Sequence, residues 1–313
     1  HIAAYHPELT TLRRELHADP ELGNDNPRTQ ARVLAALDGL DLEMTTGESV
    51  TSVVAVLRGR AETAGERPIV LLRGDMDGLP VTEATGQPFA STTGTMHACG
   101  HDLHVAGLVG AVRILHELRD ELPGDVVFMF QPGEEGPGGA APMIAEGVLD
   151  AAGRRADAAF GLHVISAQAP LGVWTGRAGV LMAAADQCYI AVRGVGGHGS
   201  QPHRSKDPVP VACEIVLALQ AMVTRQFDAF DPVVVTAGRI VGGTKENIIP
   251  DDAHIDLTVR TFSKTNHDQV PERIERLAVE RASSAVIASA AREEGMQTLR
   301  QDGLAKVLAG VTS

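Results

Sequence analysis

The segment from Met96 to His104 carries a thiol, three imidazoles and a carboxylate around Gly100. Thiolate sulfur and imidazole nitrogen are donors that zinc and other first-row divalent metals accept in proteins. A glycine at its centre lets the backbone turn, so that neighbouring side chains can converge. We therefore predict that Cys99 and His101 bind a metal ion, while the other two histidines of the segment orient the ligands or begin a helix.

Two adjacent carboxylates, Glu134 and Glu135, follow an apolar run at 126–130 and precede a glycine-rich loop. One carboxylate can hold a metal ion while its neighbour removes a proton from water. His163 follows another apolar run and is a further candidate donor. All three residues fall at strand ends, where open α/β sheets place their sites. This pattern predicts a hydrolytic metalloenzyme.

Asp75 and Asp77 follow a third apolar run, at 69–72. Alternation along a strand puts both carboxylates on one side, where they can face a cation. The alternative is that they cap a turn, because Gly74 and Gly78 flank them. The sequence leaves both interpretations open.

Composition and charge exclude several classes of protein. The chain has 313 residues, 44% hydrophobic and 21% charged, as expected for a globular protein of two domains. The net charge of −13 argues against a nucleic-acid surface. We find no apolar run long enough to span a bilayer and no signal-peptide pattern. The few cysteines fit a reducing compartment. We predict a cytoplasmic protein without nucleic-acid or membrane partners.

Hydrophobic periodicity predicts alternating strands and helices in the first half of the chain. Apolar or β-branched runs predict strands at 52–57, 69–72, 126–130 and 156–162, the last two buried. Helical spacing predicts helices at 7–16, 27–37, 103–118 and 140–147. This order predicts an α/β fold in which a mostly parallel sheet is flanked by helices.

The pattern changes near Gly176. Strands are expected at 187–192, 233–241 and 253–261, and helices from Asp207 to about 225 and at 267–281. This β-α-β-β-α order suits a ferredoxin-like α+β domain inserted in the larger one. We therefore assign 1–175 plus 284–313 to a catalytic domain, and 176–283 to an inserted lid and dimerisation domain.

Five motifs occur in order along the chain. They are RGDMDGLP at 73–80, MHACGHDLH at 96–104, QPGEE at 131–135, GLH at 161–163 and NIIP at 247–250. Together they resemble the amidohydrolase branch of the zinc aminopeptidase/carboxypeptidase clan, which includes N-acyl-amino-acid amidohydrolases, hippurate hydrolases and plant auxin-conjugate hydrolases. The resemblance implies a zinc-peptidase-like catalytic domain that hydrolyses the amide bond of N-acyl amino acids, releasing a carboxylic acid and a free amino acid.

The resemblance also implies a centre of two divalent metal ions per subunit. Its ligands would be Cys99, His101, Glu135 and His163. Glu134 would be the general base, and Asp77 would orient a ligand. Three lid residues would contact the substrate: His198 at the oxyanion in a partner subunit's site, and Asn247 and Arg260 at the substrate carboxylate or oxyanion. From the residues alone, a plain turn residue is the favoured interpretation of His198, and Arg260 could equally be a solvated strand residue.

The resemblance also bears on which metal ions the centre binds and on how the subunits assemble. Manganese or zinc is expected, with cobalt or nickel as alternatives, because all of them accept nitrogen and oxygen donors with one sulfur. A homodimer through the lid domain is expected from the implied reach of His198, and twofold symmetry is the commonest arrangement. The implied substrate is a small N-acyl amino acid.

The sequence lacks one residue that the resemblance implies. The family carries one more histidine ligand after the lid, whereas the last histidine here is His267, inside a predicted lid helix. Beyond residue 283 the sequence is rich in Ala and Leu, and the chain begins at His1. We therefore expect the natural chain to be longer, which an intact-mass measurement tests.

Other functions stay open at this level. A dipeptidase or carboxypeptidase would use the same centre with a different substrate pocket, and a substrate panel separates the two. A non-catalytic homologue that binds metal or ligand is motivated by the missing histidine, although retention of Glu134 argues against it. A redox role for Cys99 is disfavoured, because no second cysteine lies near it in sequence.

Overall fold

The computed structural model describes residues 2–165 and 170–280. The chain divides into two compact units, the first ending at Val173 and the second beginning at Trp174. The predicted division between catalytic and lid domains lies close to this boundary. The assignment of 284–313 to the catalytic domain falls outside the described residues, so the domain assignment stays a prediction.

The first unit is built on a mixed sheet of five strands. They are β1 (Glu43–Thr46), β2 (Val53–Leu57), β3 (Ile69–Asp75), β4 (Asp125–Gln131) and β5 (Ala158–Gly161), in the spatial order β1-β2-β4-β3-β5. Strand β3 pairs in parallel with β4 and β5, whereas β2 pairs antiparallel with β1 and β4. The carboxyl ends of β3, β4 and β5 therefore meet at one edge of the sheet.

Helices cover both faces of this sheet. They are α1 (Ile2–Ala18), α2 (Pro27–Leu37), α3 (His101–Glu117) and α4 (Ala140–Ala145). Strand β4 is buried along its whole length, and its side chains alternate between two cores. Phe128 and Phe130 pack with residues of α1, α2 and α3 on one face. Val127 and Met129 pack with Met143 of α4 on the other. The α/β prediction with flanking helices is confirmed, but in the described residues the sheet is mixed rather than mostly parallel, because β2 pairs antiparallel with both of its neighbours.

Two local predictions for the first unit need correction. The sequence predicts a buried β5, but its four residues are exposed, Phe160 to 60%. Its described neighbour is β3 alone, so β5 lies at the edge of the sheet, where fewer side chains cover it. Helix α1 begins at Ile2 rather than at Pro7, and the proline lies within it. Proline favours a first turn, but here the helix continues past it.

The second unit contains an antiparallel sheet with two helices on one face. Its elements are β6 (Ala184–Arg193), β7 (Gly197–His198), α5 (Pro208–Gln226), β8 (Val234–Gly242), β9 (Ile248–Ile249), β10 (Asp252–Thr261) and α6 (Lys264–Glu280). The sheet order is β6-β10-β8, and β7 pairs separately with β9. Alternate residues of β10, such as Ile255 and Leu257, pack against α5 and α6. The order of the main elements is the expected ferredoxin-like one.

Helix α5 is, within 2–165 and 170–280, the one helix long and apolar enough to cross a membrane by length and composition. The sequence-based expectation did not single out this run. Four of its residues are buried in the core of the second unit: Ala212, Ile215, Leu219 and Met222. A core helix passes the same test, so this single helix is weak support for a membrane span.

Candidate metal centre

The parallel strands bring the chemically active segments to one edge of the first unit. Asp75 is the last residue of β3, Glu134 comes three residues after β4, and His163 comes two residues after β5. The N–H of Met76 donates to the Gln131 carbonyl at 2.8 Å, which holds two of these chain segments together beyond the strands. The structure therefore places the predicted strand-end residues at the common edge.

Cys99, His101 and His163 form a group whose donor atoms all lie within 4.8 Å of one another. The Cys99 Sγ and His163 Nε2 atoms are 3.3 Å apart. His101 opens α3 and is fully buried. Its donor atoms also lie within 4.8 Å of those of Glu134 and Glu135. Residues separated by more than sixty positions thus converge on His101.

Gly100 makes this convergence sterically feasible. It precedes α3 with a φ of 85°, in the left-handed region that favours glycine. A Cβ atom at this position would lie 2.4 Å from Cγ2 of Val164, the residue after His163. A side chain here would therefore push the His163 segment away from the start of α3.

His101 lies between two buried carboxylates. Its Nε2 is 3.6 Å from Asp75 Oδ2, and its Nδ1 is 3.5 Å from Asp77 Oδ1. Burial acts to lower the pKa of His101, but interaction with Asp77 and the charges of Asp75 and Glu135 outweigh it and raise the pKa. Both aspartates thus contact this imidazole, although Asp77 lies beyond the end of β3, and their role toward a cation stays a prediction.

Asp77 also fixes the backbone that carries the two glutamates. Its carboxylate oxygens accept the N–H of Glu134 at 2.9 Å and the N–H of Glu135 at 3.0 Å. The Asp77 side chain is fully buried, so these bonds are shielded from water. One carboxylate therefore contacts both the histidine and the glutamate loop.

Glu134 and Glu135 differ in exposure although they are adjacent. The Glu134 side chain is 43% exposed and that of Glu135 23%. Partial burial and the negative charge of Glu135 raise the pKa of Glu134. A carboxylate with a raised pKa is a better proton acceptor near neutral pH than an ordinary one. Glu134 is thus the better placed of the two to exchange a proton with a substrate or with water.

The surroundings of Cys99 favour the neutral thiol in the absence of a cation. Burial, a hydrogen bond with Glu135 and the charges of nearby carboxylates raise the pKa of Cys99 to about 12. A bound divalent ion reverses this preference, because a coordinating thiol is deprotonated. The cysteine therefore fits a metal ligand better than a free nucleophile.

Several buried donor atoms near His101 fit a divalent cation. Both ring nitrogens of His101 and Oε1 of Glu135 have no hydrogen-bond partner within the described part of the chain. Buried polar atoms without a partner are unfavourable unless an ion or water satisfies them. Soft sulfur, imidazole and carboxylate donors together suit a first-row divalent metal. The side chains of this centre therefore fit a divalent metal ion.

The two remaining histidines of the motif have different surroundings. His104 donates from Nδ1 to Asp75 Oδ1 at 2.5 Å, and its Nε2 accepts the Val164 N–H at 2.9 Å. His97 is buried, and neither of its ring nitrogens has a partner among the residues that the structure describes. His104 lies in the first turn of α3 and His97 precedes the helix, and the prediction that they orient ligands stays a prediction.

Sequence reasoning missed a charged cluster behind the centre. His17, at the end of α1, places Nδ1 2.8 Å from Asp102 and Nε2 3.1 Å from Glu83. Arg13 lies one turn earlier on the same helix, with Nε 2.7 Å from the Asp102 carboxylate. The spacing of Arg13 and His17 on one helical face was the available signal. Their partner, Asp102, follows His101 directly.

In the second unit, His198 and Asn247 are neighbours. His198 pairs with Ile248 across β7 and β9, and the Gly199 N–H donates to the Asn247 carbonyl at 2.8 Å. The N–H of Ser200 donates to His198 Nδ1 at 3.2 Å, and the Ser200 hydroxyl lies 2.8 Å from the same nitrogen. Because Nδ1 accepts, the neutral ring carries its proton on the outward Nε2.

Arg260 lies near the other end of β10. Asp252 opens this strand, close to the Asn247 loop, and eight residues at ~3.3 Å each put Arg260 roughly 26 Å away along it. Its Nη1 donates to Thr258 Oγ1 at 2.6 Å and to the Val259 carbonyl at 3.0 Å. The structure does not bring Arg260 together with Asn247 within this unit.

Comparison with known proteins identifies relatives of this arrangement. Residues 71–293 match the peptidase family M20/M25/M40. N-acetylcysteine deacetylase of Bacillus subtilis (strain 168) is 38% identical over 277 residues, which cover 88% of this chain and 70% of that protein. IAA-amino acid hydrolase ILR1-like 2 of Arabidopsis thaliana is 38% identical over 276 residues, covering 88% of this chain and 60% of that protein.

A solved structure shows the same fold. It is a dinuclear metal-binding peptidase of the M20 family from Bacillus subtilis, with a TM-score of 0.71 and 35% sequence identity. The match covers 90% of this chain and 71% of that one. The chain therefore spans between 60% and 71% of the length of these three proteins.

Proposed function

Because the chain belongs to peptidase family M20/M25/M40, we propose that it hydrolyses the amide bond of N-acyl amino acids and releases a carboxylic acid and a free amino acid. A dinuclear metal-binding peptidase among the similar solved structures supports metal-dependent hydrolysis as the reaction class. The names of two relatives, a deacetylase of N-acetylcysteine and a hydrolase of IAA-amino acid, support the substrate class.

One observation carries this proposal. Cys99, His101 and His163 converge at the edge of the sheet, and Glu134 and Glu135 lie beside the same imidazole. We assign Cys99, His101, Glu135 and His163 as ligands of two divalent metal ions, with manganese or zinc preferred over cobalt or nickel. Metal bound there would polarise the amide carbonyl and lower the pKa of a water molecule.

Glu134 supplies the general base. Its carboxylate is the more exposed of the pair, and burial and the charge of Glu135 raise its pKa, which favours accepting a proton. It takes a proton from the attacking water at a carboxylate oxygen and passes it to the leaving nitrogen of the amide. Asp77 holds the backbone that carries Glu134 in place, because its carboxylate accepts hydrogen bonds from the N–H groups of Glu134 and Glu135.

The second unit supplies groups that recognise the substrate. His198 presents Nε2–H outward, because Ser200 occupies Nδ1, and an N–H donor of this kind stabilises a developing oxyanion. We assign Asn247 and Arg260 to the substrate carboxylate or oxyanion. A homodimer through the lid domain and a cytoplasmic location are part of the same proposal.

A metal analysis combined with a substrate panel tests the function. The protein is loaded with manganese or zinc, dialysed, and analysed for metal per chain. It is then assayed against N-acetyl and N-benzoyl amino acids and against unblocked dipeptides. We expect bound metal, release of free amino acid from the acylated substrates, and slower cleavage of the dipeptides.

The panel also discriminates the alternatives. Faster cleavage of the dipeptides would favour a dipeptidase or carboxypeptidase with the same centre. Stable metal binding without hydrolysis of any substrate would favour a non-catalytic homologue. Absence of both metal and hydrolysis would refute the assignment of the centre.

A further inference from the structure

The His104 side chain is only 2% exposed, and both of its ring nitrogens form hydrogen bonds. Asp75 Oδ1 lies 2.5 Å from Nδ1, and the Val164 nitrogen lies 2.9 Å from Nε2. A backbone N–H can only donate, so Nε2 must offer its lone pair. The proton of the neutral ring is then on Nδ1 and points at Asp75. The contacts thus determine the tautomer of His104.

The backbone of Val164 contacts both His104 and His163, a candidate metal ligand. Its N–H is held by His104, and its carbonyl oxygen lies 2.7 Å from Nδ1 of His163. Because a carbonyl only accepts, Nδ1 of His163 carries the proton. The lone pair of His163 is therefore on Nε2, which lies 3.3 Å from Cys99 Sγ. The rings of His104 and His163 also meet edge to face, with centroids 4.9 Å apart.

The other end of this chain of contacts is anchored in the sheet. Asp75 Oδ2 lies 2.6 Å from Nη1 of Arg73, and Arg73 Nε donates to Gln131 at 2.9 Å. Arg73 and Asp75 belong to β3, and Gln131 ends β4. A rigid strand pair thus supports His104, and His104 supports the loop after β5.

We propose that His104 is a positioning residue: it holds the backbone of Val164, whose carbonyl oxygen fixes the tautomer and orientation of His163, and it does not bind metal itself. The inference rests on the proposed function, because that assigns His163 as a ligand. A hydrogen-bonded partner that orients a ligating histidine raises metal affinity by holding the donor nitrogen in place. His104 also lies within 4.8 Å of Asp75 and His101 donor atoms, but both of its nitrogens are already occupied.

The test compares two histidine substitutions on the same helix. His104→Asn keeps an amide near the position of Nδ1 but leaves no acceptor for the Val164 N–H. We expect about 10- to 100-fold weaker binding of one metal ion, measured by equilibrium dialysis with metal analysis, and a smaller effect on the other ion. His116→Asn is the matched control, because His116 of α3 also accepts a backbone N–H, that of Asp41 at 3.3 Å. It is expected to leave metal affinity unchanged.

The outcomes separate this inference from the proposed function. A wild-type chain that binds no metal would overturn both. A wild-type chain that binds metal, beside a folded His104→Asn variant of equal affinity, would overturn the inference alone.

A second measurement needs no variant that might misfold. Nitrogen-15 NMR of the zinc-loaded wild type reports which ring nitrogens carry hydrogen or metal. We expect His104 to be neutral and protonated on Nδ1, and His163 to be protonated on Nδ1 with zinc on Nε2. Zinc on a nitrogen of His104, or a proton on its Nε2, would overturn the inference.

Discussion

Glu134 and Glu135 show how surroundings divide two identical side chains between two tasks. The Asp77 carboxylate accepts the backbone N–H groups of both glutamates, so it fixes the backbone of the two residues together. The Glu135 carboxylate is the less exposed of the two, and one of its oxygens is buried without a hydrogen-bond partner in the described structure. Glu134 is the more exposed and has the raised pKa. These differences support a ligand role for Glu135 and a base role for Glu134.

Replacing Glu134 by glutamine should remove activity without removing metal. The amide cannot accept and return a proton, so we expect kcat to fall by about 10²–10⁴-fold or more, while metal content and the unfolding curve stay close to those of wild type. Steady-state kinetics at saturating metal together with metal analysis measure both effects.

The matched variant is Glu135→Gln, which is expected to lose metal as well as activity. A Glu134→Gln enzyme that keeps the wild-type rate would contradict the assignment of the base. Equal metal loss in the two variants would contradict the division of roles.

Among the helices and strands, the first turn of α3 does most to position the candidate metal ligands. Gly100 gives the left-handed turn before the helix, His101 is its first residue, and Asp102 anchors its far side to α1. His17 of α1 contacts both Asp102 and Glu83, so the loop that contains Glu83 is attached to the same cluster. The position of the metal ligands is thus coupled to α1 and to this loop.

Two glycines, one preceding α3 and one inside it, should respond to alanine in opposite directions. At Gly100, a side chain is strained by the positive φ and meets Val164, so Gly100→Ala should destabilise the protein by about 1–3 kcal/mol and weaken metal binding. At Gly107, inside the helix, a Cβ would meet no atom within 4 Å, so Gly107→Ala should stabilise it by about 0.5–1 kcal/mol. Urea unfolding measures both. A Gly100→Ala protein as stable as Gly107→Ala would show that the turn is not required.

The Glu83 carboxylate should make stability depend on acidic pH. Burial opposes its charge, but hydrogen bonds from Thr85, the Ser91 N–H and His17 lower the pKa of Glu83 to about 2 from 4.5. A carboxyl with a lowered pKa in the folded state binds protons more readily when unfolded, so its stabilisation is complete above about pH 4.5 and is lost as the pH falls towards 2.

Glu83→Gln should therefore be less stable than wild type at neutral pH, and the difference should shrink between pH 4.5 and 2. Urea unfolding across this range measures the difference. Thr85→Val removes one of the donors and is expected to give an intermediate profile. A gap between Glu83→Gln and wild type that does not change with pH would rule out this coupling.

For the whole molecule, the two units have separate hydrophobic cores. The cores of the first unit lie on both faces of its five-stranded sheet, and the core of the second lies between its three-stranded sheet and α5 and α6. All the candidate metal ligands belong to the first unit. Family membership confirms the predicted metal-dependent amidohydrolase at the level of reaction class.

Metal removal should therefore affect one unit selectively. A ligand at 100 times its Kd stabilises the folded state by about 2.7 kcal/mol, so chelation should lower the melting temperature of the first unit by roughly 5–10 °C. The transition of the second unit should stay in place. Scanning calorimetry with and without chelator measures both transitions, and Cys99→Ser with added metal is the control for a damaged site. Equal shifts of both transitions would contradict a site built within one unit.

Part of this architecture follows from local sequence alone. Alternation and helical spacing placed most strands and helices within a few residues, because burial on one face imposes a period of two or 3.6 residues. The donor types of Cys99, His101 and the glutamate pair, together with their strand-end positions, predicted the chemistry of the centre. Periodicity could not show that β5 is exposed, because exposure depends on which neighbours a strand has.

Only the tertiary structure decided which side chains hold the ligands in place. His104 meets Asp75 across 29 positions and Val164 across 60, and His17 meets Asp102 across 85. Local patterns determine the element to which a residue belongs and the face on which it lies. The partner of a buried polar group is determined by packing between distant segments, and that partner sets its tautomer, its charge and its role.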